Sequence, residues 1–297
     1  MRELEPSPAR IRGRFAPSPT GNLHFGSLVA ALGSWLRARS QDGAWIVRIE
    51  DVDSSRTVPG AGEGILATLA EFGLVSDEPV VWQGERLDLY AAAFARLKAI
   101  DAVYPCQCSR NDLAAFDGIH PPRCIRSADS SPPAWRLRVD DRVIVFTDQI
   151  SGTVTQRLGR EVGDFVVRRA NGLFTYQLAV VVDDAEQGIN EVVRGADLLH
   201  STPRQILLHE ILDLRIPNYL HLPQALDPSG RKLSKQDRAR PVDAADPLPA
   251  LRAALNFLGQ RPASGNSVGE FLREALAGFD IGAIPLQSRA NVAMRKD

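Results

Sequence analysis

The order of secondary-structure signals over residues 12–49 constrains the fold of this chain more than any other feature. A short predicted strand at 12–16 leads into Pro17-Ser-Pro-Thr-Gly-Asn, and proline and glycine end regular structure. An apolar-periodic run at 26–39 then predicts a helix, and Ala44-Trp-Ile-Val-Arg-Ile predicts a buried strand. Strand, turn, helix and strand form a βαβ unit, so we predict an α/β fold on a parallel sheet.

The rest of the sequence predicts an insertion between two halves of that fold. Short alternating segments at 135–167 indicate antiparallel strands. We interpret the apolar run from Tyr176 to Asp183 and Asp184 as a strand of the parallel sheet, followed by a helix at 202–212. We therefore predict a loose tail at 1–10 and the first half of an α/β domain at 11–103. An inserted subdomain at 104–170 separates this from the second half of the domain at 171–240. A short helical C-terminal region follows at 241–297.

Charge and hydropathy exclude several classes of protein. The 297 residues carry a formal net charge of -1, so any contact with nucleic acid must use a local patch. The candidates for such a patch are Arg136, Arg138, Arg168 and Arg169. The polar start of the chain lacks the apolar core of a signal peptide, and no apolar run could span a bilayer. We expect a cytoplasmic monomer with no membrane partner.

Two segments suit the binding of phosphate. The turn before the first predicted helix holds His24 and Gly26, and the free N–H groups and dipole of a helix start favour anions. The run Gly230-Arg-Lys-Leu-Ser-Lys holds two of the four lysines of the chain, Lys232 and Lys235, whose flexible ammonium groups suit pyrophosphate. Taken alone, the first segment is more often a structural turn, and the second is as often a solvated basic loop.

The three cysteines lie in one stretch of the chain. Cys106-x-Cys108 and His120-x-x-x-Cys124 offer four ligands at a spacing that suits tetrahedral zinc. Four protein ligands leave no open position on the metal. We therefore predict one structural Zn²⁺ that staples a segment too polar to fold on its own core. The alternative is three buried thiols beside a surface histidine.

The two phosphate segments together resemble the paired signatures of class I aminoacyl-tRNA synthetases. His24-Phe-Gly-Ser stands in the first place and Lys232-Leu-Ser-Lys-Gln in the second. Segments typical of the glutamyl and glutaminyl branch are Arg14-Phe-Ala-Pro-Ser-Pro-Thr-Gly, Arg48-Ile-Glu-Asp-Val-Asp, Val193-Arg-Gly-Ala-Asp and Ser201-Thr-Pro-Arg-Gln. The resemblance covers about Arg12 to Lys235, and it implies a Rossmann-like class I synthetase fold with an acceptor-type insertion.

The resemblance also implies roles for individual residues. Catalysis of adenylate formation would fall to His24 and Lys235. ATP, bound with Mg²⁺, would contact Pro17, His24, Gly26, Lys232, Ser234 and Lys235. Glutamate would contact Arg14, Phe15, Ala16, Pro17, Ser18, Glu50, Tyr176 and Arg194. Arginine suits its carboxylates because a guanidinium binds a carboxylate through two parallel hydrogen bonds, and Glu50 would hold its ammonium.

Only about sixty residues follow Lys235, too few for another module of ordinary domain size, so we expect no anticodon-binding domain. This shape resembles the glutamyl-queuosine tRNA(Asp) synthetases, a truncated group of that family. The resemblance implies tRNA-independent activation of L-glutamate with ATP and its transfer to queuosine in the anticodon loop of tRNA(Asp). The alternatives are a stand-alone glutamate-activating ligase with a non-tRNA acceptor, a non-catalytic paralogue, and a fragment that charges a tRNA 3′ end.

Overall fold

The computed structural model describes residues 10–109, 111–121, 123–126, 131–224 and 241–286. Within these ranges lie ten strands: β1 Arg12–Phe15, β2 Ala44–Ile49, β3 Val81–Trp82, β4 Val103–Cys106, β5 Ala134–Leu137, β6 Val143–Asp148, β7 Gly152–Arg157, β8 Phe165–Arg168, β9 Glu191–Gly195 and β10 Asn218–Leu222. The same ranges hold eight α-helices: α1 Phe25–Arg39, α2 Ala61–Glu71, α3 Leu87–Ala99, α4 Leu158–Glu161, α5 Tyr176–Glu186, α6 Thr202–Ile211, α7 Pro247–Phe257 and α8 Val268–Ala277.

The βαβ unit predicted from the first fifty residues is present. β1 pairs in parallel with β2, starting with Arg12 opposite Ala44, and α1 connects the two strands. Leu28, Leu32 and Leu36 recur about one helical turn apart on α1 and are fully buried in the core shared with the sheet. The alternation of a turn-forming segment and an apolar-periodic run was therefore sufficient to predict this unit.

Two mainly parallel sheets meet at the centre of the fold. The first has the order β1-β2-β3, and the second has the order β7-β6-β10-β9, with only β7 antiparallel to its neighbour. β9 lies beside β1: the Asn190 amide donates to the Arg12 carbonyl at 3.2 Å, and the Arg12 amide donates to Asn190 Oδ1 at 2.8 Å. β1 is therefore central, with β2 on one side and β9 on the other.

The region between β3 and β9 contains a three-stranded antiparallel sheet. β5 pairs with β4 and with β8, as the alternating pattern predicts. β6 and β7 form an antiparallel hairpin, but Asp148 at the end of β6 also pairs with Tyr219 of β10. The sequence places this hairpin within the insertion, whereas in the structure its first strand is hydrogen-bonded to the parallel sheet.

The segment that begins at Tyr176 is the helix α5, and the strand predicted there is wrong. All residues from Leu178 to Asp184 are buried, so apolar side chains occupy every face of the helix instead of one stripe. Periodicity cannot distinguish a short, continuously apolar helix from a buried strand. Asp183 and Asp184 therefore lie inside a buried helix and not at the end of a strand.

The C-terminal helices pack on the first helix. Leu251 and Leu255 of α7 and Phe271 of α8 are at most 1% exposed and belong to the same apolar cluster as α1. α8 begins with a reciprocal capping box between Ser267 and Glu270. This region thus completes the core of the first βαβ unit. None of the helices described here has the length and apolar character needed to cross a membrane.

The turn from α1 into β2 requires glycine at position 43. A Cβ on Gly43 would lie 2.5 Å from the Ile11 carbonyl oxygen and 2.7 Å from that of Ala38, and both contacts are with backbone. We expect Gly43→Ala to lower the free energy of unfolding by about 1–3 kcal/mol, as measured by urea denaturation.

Gly64→Ala is the matched control for this substitution. Gly64 is exposed within α2, and a Cβ there would meet nothing within 4 Å. Because alanine has the higher helix propensity, this change should raise the free energy of unfolding by up to about 1 kcal/mol. Similar effects of the two substitutions would contradict the tight packing at Gly43.

Candidate active site

An open cleft of about 1100 Å³ lies at the carboxyl ends of β1, β2 and β9. Ten residues predicted to bind glutamate or ATP line it: Arg14, Phe15, Ala16, Pro17, Ser18, His24, Gly26, Glu50, Tyr176 and Arg194. The other three predicted residues, Lys232, Ser234 and Lys235, lie outside the described residues. Gln224 and Pro241, which flank residues 225–240, both line this cleft.

His24 caps the N-terminus of α1. Its backbone is extended, and its Nδ1 accepts a hydrogen bond from the Ser27 amide at 3.2 Å. A neutral imidazole that accepts at Nδ1 carries its proton on Nε2, and His24 Nε2 lies 3.2 Å from the Ser27 hydroxyl. Leu23 and His24 also pair with the chain at Pro241 and Val242, which fixes the loop before the helix from a second direction.

Arg14, Arg48, Glu50 and Asp184 form a buried cluster of alternating charges. Asp184 Oδ1 accepts from Arg48 Nη2 at 2.9 Å and from Arg14 Nε at 3.2 Å, and Arg48 Nη2 also donates to Glu50 at 3.2 Å. A single carboxylate from α5 therefore positions both arginines. Strands β1 and β2 and helix α5 each contribute to this cluster, so it forms only when all three are packed together.

Asp183 extends the cluster to the other side of Arg48. Its carboxylate accepts from Gln83 Nε2 at 2.7 Å, Tyr90 hydroxyl at 2.8 Å and Arg86 Nε at 2.7 Å, and it lies 3.7 Å from Arg48 Nε. The Asp183 side chain is fully buried. A buried carboxylate of this kind is tolerated because every bond it makes is with a donor.

Burial and charge pairing have opposite effects on the acids of this cluster. Burial raises the pKa of Glu50 above its ordinary value, although the fields of Arg48 and Arg14 act against that rise. For Asp184 burial also opposes ionisation, but the charges of Arg14 and Arg48 prevail and lower its pKa. Asp184 is therefore a fixed anion, whereas Glu50 is a carboxylate that still lacks full compensation.

Arg194 on β9 also lines the cleft. The Nη1 of Arg194 donates to the Tyr176 hydroxyl at 3.1 Å, and Arg194 is only 5% exposed. A hydroxyl that accepts this bond keeps its own proton for donation. The cleft lining thus includes Arg14, Arg194, Glu50 and Tyr176, together with four further charged residues: Asp53, Arg56, Arg169 and Asp197.

The cysteines and His120 form one cluster, as the sequence predicts. The possible ligand atoms of Cys106, Cys108, His120 and Cys124 all lie within 4.8 Å of one another, and His120 Nε2 is 3.2 Å from Cys106 Sγ and 3.8 Å from Cys124 Sγ. Ligand atoms around a tetrahedral zinc with ordinary bond lengths are about 3.5 Å apart. The donor set and its spacing fit a metal ion with four protein ligands.

A second layer of side chains orients this cluster. Tyr104 hydroxyl donates to Asp164 at 2.6 Å and lies 3.1 Å from His120 Nδ1. Since the phenolic proton goes to Asp164, His120 donates from Nδ1 and presents a bare Nε2 to the cysteines, which is the form that binds a metal. Arg136 Nε donates to Cys106 Sγ at 3.3 Å.

The arginines proposed as phosphate contacts do not act alike. Arg136 is buried and donates to Cys106, to the Asp164 carbonyl and to the Cys108 carbonyl, so its assignment as a phosphate contact is wrong. Arg169 does line the cleft, where its Nη1 lies 2.8 Å from Asp53 Oδ2. The other two arginines lie over aromatic rings.

Comparison with known proteins agrees with this architecture. The family described as tRNA synthetases class I (E and Q), catalytic domain, matches residues 10–119 and 124–275. A protein named Glutamyl-Q tRNA(Asp) synthetase from Xanthomonas campestris pv. campestris is 53% identical over 294 residues, which cover 96% of this chain and 97% of that protein. One of the same name from Burkholderia mallei is 53% identical over 286 residues, covering 91% and 96% of the two chains.

The chain belongs to the glutamyl-Q tRNA(Asp) synthetase family of class I tRNA synthetases. Among solved structures, a glutamate tRNA ligase from Elizabethkingia meningosepticum, in complex with its amino acid, matches with a TM-score of 0.75 at 30% identity, over 93% of this chain and 66% of that chain. The glutamate-tRNA synthetase of Elizabethkingia anophelis gives 0.78 at 28% identity, over 96% and 68%. The chain therefore spans about two thirds of the length of these solved synthetases.

Sequence reasoning missed several residues that organise this synthetase-family cleft. Arg48 belongs to a family motif, but the sequence holds a further signal, because an arginine within an apolar strand indicates a buried partner. The sequence pattern assigns no role to Asp183, Asp184 or His221. Each of them acts through a partner that is distant in sequence.

Asp184 is the residue on which the charge cluster most depends. Asp184→Asn keeps the shape of the side chain but leaves Arg14 and Arg48 with one fewer negative charge in a buried site. We expect the free energy of unfolding to fall by about 3 kcal/mol or more, as measured by urea denaturation.

Asp141→Asn provides a control at the surface. Asp141 pairs with Arg157 at 3.0 Å, and both side chains are about half exposed. Such pairs contribute at most about 1 kcal/mol. If Asp184→Asn were no more destabilising than Asp141→Asn, the cluster would not be holding the fold together.

Proposed function

We propose that this chain activates L-glutamate with ATP, without tRNA, and transfers it to queuosine in the anticodon loop of tRNA(Asp). The observation that carries the proposal is the arrangement of charge in the cleft: Arg14 and Arg194 line it together with Glu50. Glutamate has two carboxylates and one ammonium, which is the complementary set. The names of the relatives in two bacterial genera support the acceptor.

Each charged group of glutamate has a proposed partner in the cleft. Arg14 binds the side-chain carboxylate, Arg194 with Tyr176 binds the other carboxylate, and Glu50 binds the ammonium. The ammonium would supply the compensation that Glu50 lacks, since burial raises the pKa of that carboxyl. Glutamine would leave the Arg14 guanidinium without an anion, and that loss would discriminate against it. Phe15, Ala16, Pro17 and Ser18 also line the cleft, and we propose that they contact the amino acid.

ATP would bind with its phosphates at the start of α1. Pro17, His24 and Gly26 line this part of the cleft, and the first turn of α1 contains no acidic residue to repel phosphate. The glutamate α-carboxylate attacks the α-phosphorus, the bond to the β-phosphate oxygen breaks, and pyrophosphate leaves. The Nε2–H of His24 and the helix N-terminus stabilise the charge that develops on the phosphate oxygens.

Lys232, Ser234 and Lys235 complete the proposed phosphate site. The residues that flank segment 225–240 line the cleft, which supports a role for the lysines there. Mg²⁺ bound with ATP would neutralise part of the charge on the departing pyrophosphate. In the second step a queuosine hydroxyl attacks the carbonyl carbon of the mixed anhydride, AMP leaves, and an ester forms. A single-stranded anticodon loop can present its base to such a cleft.

We further propose that residues 104–170 form an acceptor-type subdomain that holds one structural Zn²⁺ through Cys106, Cys108, His120 and Cys124. The ring of His120, held by Tyr104, supports this assignment. Residues 11–103 and 171–240 would be the two halves of the catalytic domain, and 241–297 a short helical region. A cytoplasmic location and a monomeric state stay predictions.

Labelled glutamate, ATP and purified protein should be incubated with tRNA that contains queuosine and with tRNA that lacks it. We expect the label to enter only the first, and to map to the anticodon loop after nuclease digestion. Label at a 3′ end would instead identify a tRNA-charging fragment, and exchange of ATP with pyrophosphate without any labelled tRNA would indicate a different acceptor. The absence of glutamate-dependent exchange would overturn the proposal.

The metal proposal predicts that Cys106→Ser loses the ion and stability together. Serine is a poor zinc ligand, so the metal content should fall from one ion per chain towards zero, and the free energy of unfolding by about 3 kcal/mol or more. Metal content is measured by mass spectrometry of the dialysed protein. Tyr104→Phe keeps all four ligands but removes the hydroxyl that joins His120 to Asp164, and should weaken metal affinity by about tenfold. A Cys106→Ser protein with its full metal content would rule out this ligand set.

A further inference from the structure

Asp148, His221 and Arg194 form a chain of buried polar side chains that runs across three neighbouring strands. Asp148 ends β6, and His221 on β10 lies directly opposite Arg194 on β9 in the parallel register. The side chains of Asp148 and His221 are both fully buried. None of these contacts is required to form the sheet itself, because the backbone bonds already pair the strands.

The carboxylate of Asp148 only accepts hydrogen bonds. Its Oδ1 accepts from the amides of Ile150 and Ser151 at 3.1 and 2.8 Å, and its Oδ2 accepts from the amide of His221 at 3.0 Å. The fourth contact joins Oδ2 to His221 Nδ1 at 2.7 Å. Burial opposes the charge, but these hydrogen bonds prevail and lower the pKa of Asp148.

The two neighbours of His221 determine its protonation. A carboxylate that only accepts requires a proton on Nδ1. At the other side, Arg194 Nε donates to His221 Nε2 at 3.1 Å, and a guanidinium has no acceptor to offer, so Nε2 must be bare. The ring is therefore neutral with its proton on Nδ1, and burial, which lowers the pKa of His221, favours the same form.

Arg194 is consequently held from three sides. Besides the bond to His221, Nη2 donates to Thr202 Oγ1 at 2.8 Å and to the Leu198 carbonyl at 3.4 Å, and Nη1 donates to Tyr176 at 3.1 Å. These bonds use four of the five N–H groups of the guanidinium. The remaining N–H is on Nη1, on the side that also contacts Tyr176.

We infer that His221 and Asp148 are positioning residues that set the orientation of Arg194 for a carboxylate of the amino acid substrate. The inference rests on the proposed function, since it assumes that Arg194 binds such a carboxylate. Asp148 reaches Arg194 only through a neutral ring, so the anion orients the guanidinium without forming an ion pair with it. The positive charge of Arg194 thus stays available to the substrate.

Two substitutions at His221 separate positioning from general stability. The side-chain amide of glutamine reaches about as far as Nε2, and that of asparagine about as far as Nδ1. His221→Gln can therefore still accept from Arg194, whereas His221→Asn contacts Asp148 and leaves Arg194 without its partner. We expect His221→Asn to raise the KM for glutamate about 10- to 100-fold, with less than about a threefold change in the KM for ATP. In His221→Gln the KM for glutamate should return most of the way to that of the unmodified protein. Both are measured by ATP–pyrophosphate exchange.

Equal effects of the two variants, or parallel losses for glutamate and ATP, would overturn the inference. A second measurement does not depend on activity. The five histidines of the protein are labelled with ¹⁵N, and the His221 signals are assigned by their absence from the spectrum of His221→Gln. We expect a neutral ring protonated on Nδ1 across about pH 6–8, and protonation of Nε2 would also overturn it. If the unmodified protein activates no glutamate, the proposed function fails, while the spectrum still reports on His221.

Discussion

Arg48 carries its positive charge inside strand β2 with a side chain that is 0% exposed. Glu50, Asp183 and Asp184 surround it, and two of these acids come from a helix far along the chain. A buried charge without partners would cost several kcal/mol, so β2 and α5 can pack stably only in the arrangement that brings these groups together. Since Arg14 and Glu50 belong to the same cluster, one end of the cleft takes its geometry from this requirement.

Arg14 and Arg194, the two cleft arginines proposed to bind glutamate, are held in different ways. Arg14 contacts an anion directly, because Asp184 lies 3.2 Å from its Nε, but Asp184 shares its charge with Arg48. Arg194 contacts the neutral ring of His221 through Nε2, and the carboxylate of Asp148 contacts the other ring nitrogen, Nδ1. In both cases the protein fixes the guanidinium without fully neutralising it. A site for a dicarboxylic amino acid needs this combination, because a guanidinium saturated by its own acid would bind a second anion weakly.

The sequence was sufficient for those parts of the site that depend on local order. The βαβ unit followed from turn residues and periodicity, and the grouping of Cys106 with His120 followed from the spacing of metal-binding residue types. The segment from Tyr176 to Asp184 resembles a strand in sequence because burial on every face of helix α5 removes the helical period. The role of His221 could not be predicted either, since its orienting partner, Asp148, lies 73 positions earlier and reaches it only through the pairing of β6 with β10.

The groups proposed to bind the amino acid and those closer to the acceptor come from different parts of the fold. Arg14, Glu50 and Arg194 project from β1, β2 and β9 or from the residues just after them, where parallel strands hold their carboxyl ends side by side. The insertion contributes to the cleft at its rim, through Arg169, which pairs with Asp53 at 2.8 Å. That pair is partly exposed, so changing it costs far less than changing a buried charge. A change at the rim would therefore leave intact the buried cluster that is proposed to select the amino acid.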